Sequence, residues 1–73
     1  MGNFFTVLEI QVTAESARIC TPTIYTSYEE ALSKFFTVCH AATQSGLPYH
    51  AAFILQDDGM MVKSEIFDRR VVE

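Results

Sequence analysis

Four residues carry the side chains most often used for nucleophilic catalysis or metal binding: Cys20, Cys39, His40 and His50. Cys39 and His40 are adjacent in a segment with helical periodicity. Neighbours on a helix point about 100° apart, so these two cannot act on each other as nucleophile and base. None of the four has the C-x-x-C or H-x-x-x-H spacing of common zinc sites. We therefore expect a protein that is not an enzyme and has no metal or cofactor, and we interpret both cysteines as reduced, buried thiols.

The sequence predicts one helix between residues 26 and 46. Ser27 followed three residues later by Glu30 is a capping box, so we expect the helix to begin at Tyr28. Gly46 can adopt the left-handed conformation that ends a helix, and Pro48 prevents continuation. The apolar residues of this helix form one broad stripe, which comprises Tyr28, Ala31, Leu32, Phe35, Val38, Cys39 and Ala42. The stripe predicts one buried face.

Four segments show the period-two alternation of strands, namely residues 3–13, 17–25, 49–56 and 60–67. Pro22 has no amide donor, so the second strand is expected to lie at a sheet edge or to carry a bulge at Pro22. Asp58-Gly59 between the last two segments predicts a hairpin. The chain, residues 1–73, is interpreted as a single α+β domain in the order ββαββ, a four-stranded, mainly antiparallel sheet with one helix packed on one face.

The hairpin decides which side chains share each side of the sheet. With a two-residue turn at Asp58-Gly59, one side carries Ala51, Phe53, Leu55, Val62, Ser64 and Ile66, and the other carries His50, Ala52, Ile54, Lys63, Glu65 and Phe67. We expect the helix to cover the first side, because it is the more consistently apolar. The second, outer side would then expose apolar residues that predict an interface between identical subunits: Phe5, Val7, Ile54, Met61 and Phe67.

Composition excludes some classes of partner. The formal net charge of -4 argues against a general nucleic-acid binder, which needs a basic surface. No apolar run approaches the 18 residues of a membrane span, and the first residues lack the pattern of a signal peptide. We expect a soluble, cytoplasmic protein, and the small size favours oligomerisation.

The stretches YTSYEEALSKFFTV, PYHAAFIL and DGMMVKSEIF resemble a group of small uncharacterised proteins found in prophages and phages of Firmicutes. The matching residues are Glu30, Ala31, Ser33, Lys34, His50, Ala51, Ala52, Asp58, Gly59, Lys63, Ser64 and Glu65. Members often have His where this chain has Phe36, so a role for that position in the group does not extend to this chain.

The resemblance implies a phage setting and a location in the host cell. Small phage proteins outside the virion commonly bind a host component. The first hypothesis is therefore a non-enzymatic, homo-oligomeric binding protein that acts against host defence, either by blocking a host protein or by sequestering a nucleotide immune signal. The alternative is a minor structural or assembly factor of the phage particle.

A nucleotide ligand would need basic and aromatic groups gathered at a subunit boundary. In the predicted register His50, Lys63 and Phe67 share the outer sheet side, and Arg69 lies at its margin. Phe67 would stack on a base. A second candidate site for an anion is the outward helix surface at Ser33 and Lys34.

Overall fold

The computed structural model describes residues 3–70. Its elements are β1 (Phe5–Val12), β2 (Arg18–Tyr25), α1 (Tyr28–Ser45), β3 (Tyr49–Gln56) and β4 (Met61–Asp68). The strands form one antiparallel sheet in the order β2-β1-β3-β4, and α1 packs on one side of it. The predicted α+β fold with the order ββαββ is confirmed.

The helix has the predicted ends. The Ser27 hydroxyl oxygen accepts a hydrogen bond from the Glu30 amide at 3.4 Å, and Gly46 has the left-handed φ of 69° that terminates helices. Within the predicted stripe, four residues are fully buried: Ala31, Phe35, Val38 and Ala42. The local signals in the sequence were sufficient to place this element.

Strand β2 lies at an edge, as Pro22 predicts. Pro22 pairs with Leu8 of β1, and no other strand of residues 3–70 pairs with β2, so the missing amide donor leaves no second strand without a hydrogen bond. The opposite edge is β4, which leaves β1 and β3 in the centre.

The β3–β4 turn differs from the predicted two-residue turn. The Gln56 carbonyl accepts from the Gly59 amide at 2.9 Å, and the Gln56 amide donates to the Met60 carbonyl at 2.9 Å. This is a three-residue loop that ends on a left-handed Gly59 with φ of 87°. A bulge then places Met61 opposite Leu55 and restores the predicted register, so that Ile54 pairs with Lys63 and His50 with Phe67.

The prediction of which sheet side faces the helix is wrong. The core combines Val7 and Ile54 with Phe35 of α1, so the helix covers the side that was expected to face outward. Small residues explain this choice, because Ala52 on the sheet and Ala31 on the helix, both fully buried, allow the two layers to approach closely.

The predicted interface set is therefore corrected. Val7 and Ile54 are core residues, and Phe5 packs against the core cluster. Phe67 lies on the same side, beside its partner His50, and is half-buried. Met61 is exposed at the bulge. Val7, Ile54 and Phe5 therefore cannot form an outer interface, because they pack in or against the core.

The side of the sheet away from the helix is termed the open face. Across the strands in the order β2-β1-β3-β4 it has four rows: Ile24, Thr6, Leu55 and Met61; Pro22, Leu8, Phe53 and Ser64; Cys20, Ile10, Ala51 and Ile66; Arg18, Val12, Tyr49 and Asp68. The first three are termed the uncharged rows and the last the charged row. Apart from Ala51, whose small side chain is hidden between its neighbours, these residues are exposed or half-buried.

Candidate functional site

A polar cluster around the buried ring of His50 joins the sheet to the end of the helix; Glu9 is half-buried and Ser45 is exposed. The His50 ring is 1% exposed, and its Nε2 lies 2.8 Å from a Glu9 carboxylate oxygen. On the other side, Nδ1 lies 3.0 Å from the Ser45 hydroxyl. The neutral ring with a proton on Nε2 satisfies both contacts, because it donates to Glu9 and accepts from Ser45.

The register places these groups together. His50 pairs with Gln11, and Glu9 lies two residues before Gln11 on the same side of β1. Ser45 is the last residue of α1, five positions before His50. His50 was among the predicted site residues, whereas Glu9 and Ser45 were not. Glu9 shares its side of β1 with Val7, and a charged residue on a buried side indicates a polar partner.

Serine, histidine and a carboxylate are the residue types of a hydrolase triad, but this arrangement is unsuited to that chemistry. The His50 ring is inaccessible to a substrate, and the Ser45 oxygen also lies 3.4 Å from both the Leu47 amide and the Ala42 carbonyl. Ser45 ends a helix, where the negative end of the dipole disfavours an oxyanion. The cluster therefore satisfies buried polar groups.

The predicted ligand residues do not share an outer surface. Lys63 Nζ lies 5.8 Å from the centroid of the core residue Phe35, and the Arg69 guanidinium lies 5.9 Å from the centroid of Phe67. With His50 buried, the predicted position of a ligand site on the outer sheet face is wrong. The physical reason is the reversed packing of the helix, which brings this set to the covered side.

Arg69 is engaged by the helix end. Its guanidinium donates to the Ala42 carbonyl at 2.7 Å and to the Leu47 carbonyl at 3.2 Å. The last turn of α1 has no basic residue of its own, so Arg69 supplies the positive charge that stabilises a helix C-terminus.

We expect Arg69→Ala to lower the free energy of unfolding by about 1 to 2 kcal/mol, since two carbonyls lose a charged donor. Arg70→Ala is the matched control. Arg70 is itself exposed: its guanidinium binds exposed Asp68 and lies 4.8 Å from the centroid of the Tyr49 ring, so a smaller change is expected. Urea denaturation measures both variants, and equal losses would contradict the assigned role of Arg69.

A shallow groove lies where the first half of α1 meets the end of β2. Its volume is about 320 Å³, and it is lined by Tyr25, Glu30, Ser33, Lys34 and Thr37. The two predicted residues Ser33 and Lys34 are thus brought together at a concave site. Glu30 lies one helical turn before Lys34, so the groove offers a bound anion one positive and one negative side chain.

The cysteines differ in environment. Cys20 is exposed on the open face, so the expectation of a buried thiol there is wrong, and Cys39 is half-buried on α1. Burial raises the pKa of the Cys39 thiol, and the nearby Glu65 carboxylate raises it further. Burial and the Glu65 charge therefore both reduce the fraction of Cys39 that is present as the reactive thiolate.

In dilute solution near pH 8 we expect a disulfide reagent to modify Cys20 at least about tenfold faster than Cys39. The rate at Cys39 should rise as the pH increases toward its raised pKa. The single-thiol variants Cys39→Ser and Cys20→Ser assign the two rates, and denaturant should make them similar. Equal rates in the native protein would contradict the difference in environment.

Residues 3–70 contain no group of three or more His, Cys, Asp or Glu side chains placed to hold a metal ion. Within the same part of the chain, no helix is both long and apolar enough to cross a membrane. Comparisons with protein-family models, curated proteins and solved structures found no match.

Proposed function

We propose that the chain is a non-enzymatic, phage-encoded binding protein that acts against host defence as a homo-oligomer, and that its target is a host protein. The observation that carries the proposal is that exposed apolar side chains lie on two separate surfaces. One is the open face of the sheet. The other is the flank of α1 around Phe36, whose side chain is 56% exposed. The phage setting rests on the sequence resemblance.

Phe36 is suited to anchor a partner protein. Its ring packs edge-on against Phe35, with 5.6 Å between the centroids, so it is held by the core although it faces solvent. Rigid aromatic side chains of this kind contribute strongly to protein interfaces. Phe36 is two residues from Lys34, and the two therefore point to opposite flanks of the helix, so the Phe36 surface is separate from the groove.

A protein target is favoured over a nucleotide signal because the basic side chains of the described chain are largely committed. Arg69 binds helix carbonyls, Arg70 binds Asp68, and Lys63 lies beside the core ring of Phe35. The groove is lined by the acidic Glu30 as well as by Lys34. An anionic nucleotide would gain little net attraction from such a surface.

The test is a pull-down from infected host cells with tagged wild type and Phe36→Ala, followed by reconstitution of the retained protein from purified components. We expect one host protein to bind wild type and to bind Phe36→Ala at least about tenfold more weakly, as for a central aromatic contact. Phe4→Ala is the matched control, because Phe4 is also exposed but directly precedes β1 and is not part of α1.

If both phenylalanine variants retain the host protein as well as wild type does, the target binds a surface other than the one around Phe36. If wild type retains no host protein, the proposal of a protein target is overturned. Calorimetry with nucleotide immune signals tests the alternative that the ligand is a nucleotide. Heat of binding that disappears in a folded Lys34→Ala variant would assign the groove to a nucleotide instead.

The alternative is a minor structural or assembly factor of the phage particle, which the same exposed sheet face would suit, because small structural subunits also associate through such surfaces. Mass spectrometry of purified virions separates the two functions. Abundant peptides of this chain in mature particles would favour the structural role, and their absence is expected for the binding protein.

A further inference from the structure

The open face has the size of a weak but specific interface. Four strands of eight residues, at about 3.3 Å per residue and about 4.8 Å between strands, give a projected area of roughly 500 Å². Two such faces together bury on the order of 1,000 Å², which is the lower limit for specific protein interfaces. Exposed apolar side chains include Ile24 on β2 and Ile66 on β4, which are 64% and 49% exposed.

The charge distribution permits a second copy to occupy this face. The chain carries a formal charge of -4, yet Asp68 is the one acidic residue in 3–70 on the open face. Asp68 is neutralised by Arg70 at 2.8 Å, and these hydrogen bonds lower the pKa of Asp68 to about 2. The acidic residues of the helix and turns would stay distant from one another when two open faces meet.

The rows select one symmetry. Arg18 and Asp68 lie in the same row on opposite edge strands. A two-fold axis parallel to the strands places β2 of each copy over β4 of the other. Uncharged rows then stack on uncharged rows, and Arg18 meets Asp68 of the second copy at the rim. A two-fold axis across the strands would instead press the charged row onto the row of Ile24, where Arg18 has no partner.

We propose that two copies of the chain pack open face to open face about a two-fold axis parallel to the strands, midway between β1 and β3. This rests on the homo-oligomeric part of the proposed function and gives it a geometry. The uncharged rows supply most of the affinity. The Arg18–Asp68 contacts at the rim fix the relative orientation of the two copies. They add little affinity, because Arg70 already occupies part of each Asp68 carboxylate.

The test compares lysine substitutions on the two sides of the same edge strand. Ile24→Lys lies on the open face, and Ile19→Lys, 44% exposed in the wild type, lies on the helix side of β2. We expect a micromolar dimer dissociation constant for wild type and Ile19→Lys, and a value at least about tenfold higher for Ile24→Lys and Ile66→Lys. Equal weakening by Ile19→Lys and Ile24→Lys would overturn the proposed interface.

Isotope-filtered NMR of a dimer formed from labelled and unlabelled chains tests the symmetry. The proposal predicts intermolecular contacts between the methyl groups of Ile24 and Met61, which lie in the same row on opposite edge strands. Contacts from Ile24 to Arg18 of the second copy would instead support the axis across the strands and would overturn the proposed packing. A monomeric wild type that still binds its host target would overturn the dimer while leaving the target-binding part of the proposed function intact.

Discussion

Replacing Phe35 by Ala should destabilise the protein more than any other single truncation considered for this fold. Phe35 is 1% exposed and belongs to the cluster that joins α1 to β1 and β3. Truncation of a buried phenylalanine costs about 3 to 5 kcal/mol. A domain of this length has about 4 to 11 kcal/mol of total stability, so the variant should be largely unfolded well below the melting temperature of the wild type.

The next residue provides the control. Phe36→Ala removes the same atoms from a side chain that is 56% exposed, and the free energy of unfolding should fall by no more than about 1 kcal/mol. Chemical denaturation followed by far-UV circular dichroism measures both variants at one protein concentration. Comparable losses would mean that α1 does not pack with the face described.

The second large effect is expected at the polar cluster around the buried His50 ring. His50→Ala removes the ring that satisfies both Glu9 and Ser45, and it leaves a cavity in the fold. We expect a loss of about 2 to 4 kcal/mol, which combines lost hydrogen bonds with lost packing. The same denaturation measurement detects it.

Glu9→Gln is the matched control for this cluster, because the amide oxygen can still accept from His50 Nε2. Its stability should fall by about 1 kcal/mol or less. A His50→Ala variant as stable as wild type would contradict the structural role of the cluster. Serine-directed fluorophosphonate labelling of wild-type Ser45 that is lost in His50→Ala would revive a catalytic role.

The helix and the hairpin register could be predicted because their signals are local. Ser27 and Gly46 mark the ends of α1 through backbone hydrogen bonding and φ preference, which do not depend on distant residues. The turn type was wrong, yet the extra loop residue and the bulge at Met61 cancel, so His50 still pairs with Phe67. Compensation of this kind is invisible in a one-dimensional pattern.

Apolar content alone could not predict which of the two sides of the sheet the helix covers. Both sides carry large apolar residues, and the decision depends on how closely the helix approaches Ala52 and on whether Glu9 and His50 can satisfy each other. Part of this could be seen in the sequence, because Glu9 and Val7 are two residues apart and therefore share one side of β1. The contact of Ser45 with His50 required the three-dimensional path of the chain through Gly46 and Pro48.

Sedimentation of the wild type over the micromolar concentration range is the decisive measurement for the proposed homo-oligomer formed through the open face. We expect a reversible shift from the 8.2 kDa monomer to a species of twice that mass. A single 8.2 kDa species throughout the range would contradict it, and the uncharged rows would then require a different partner.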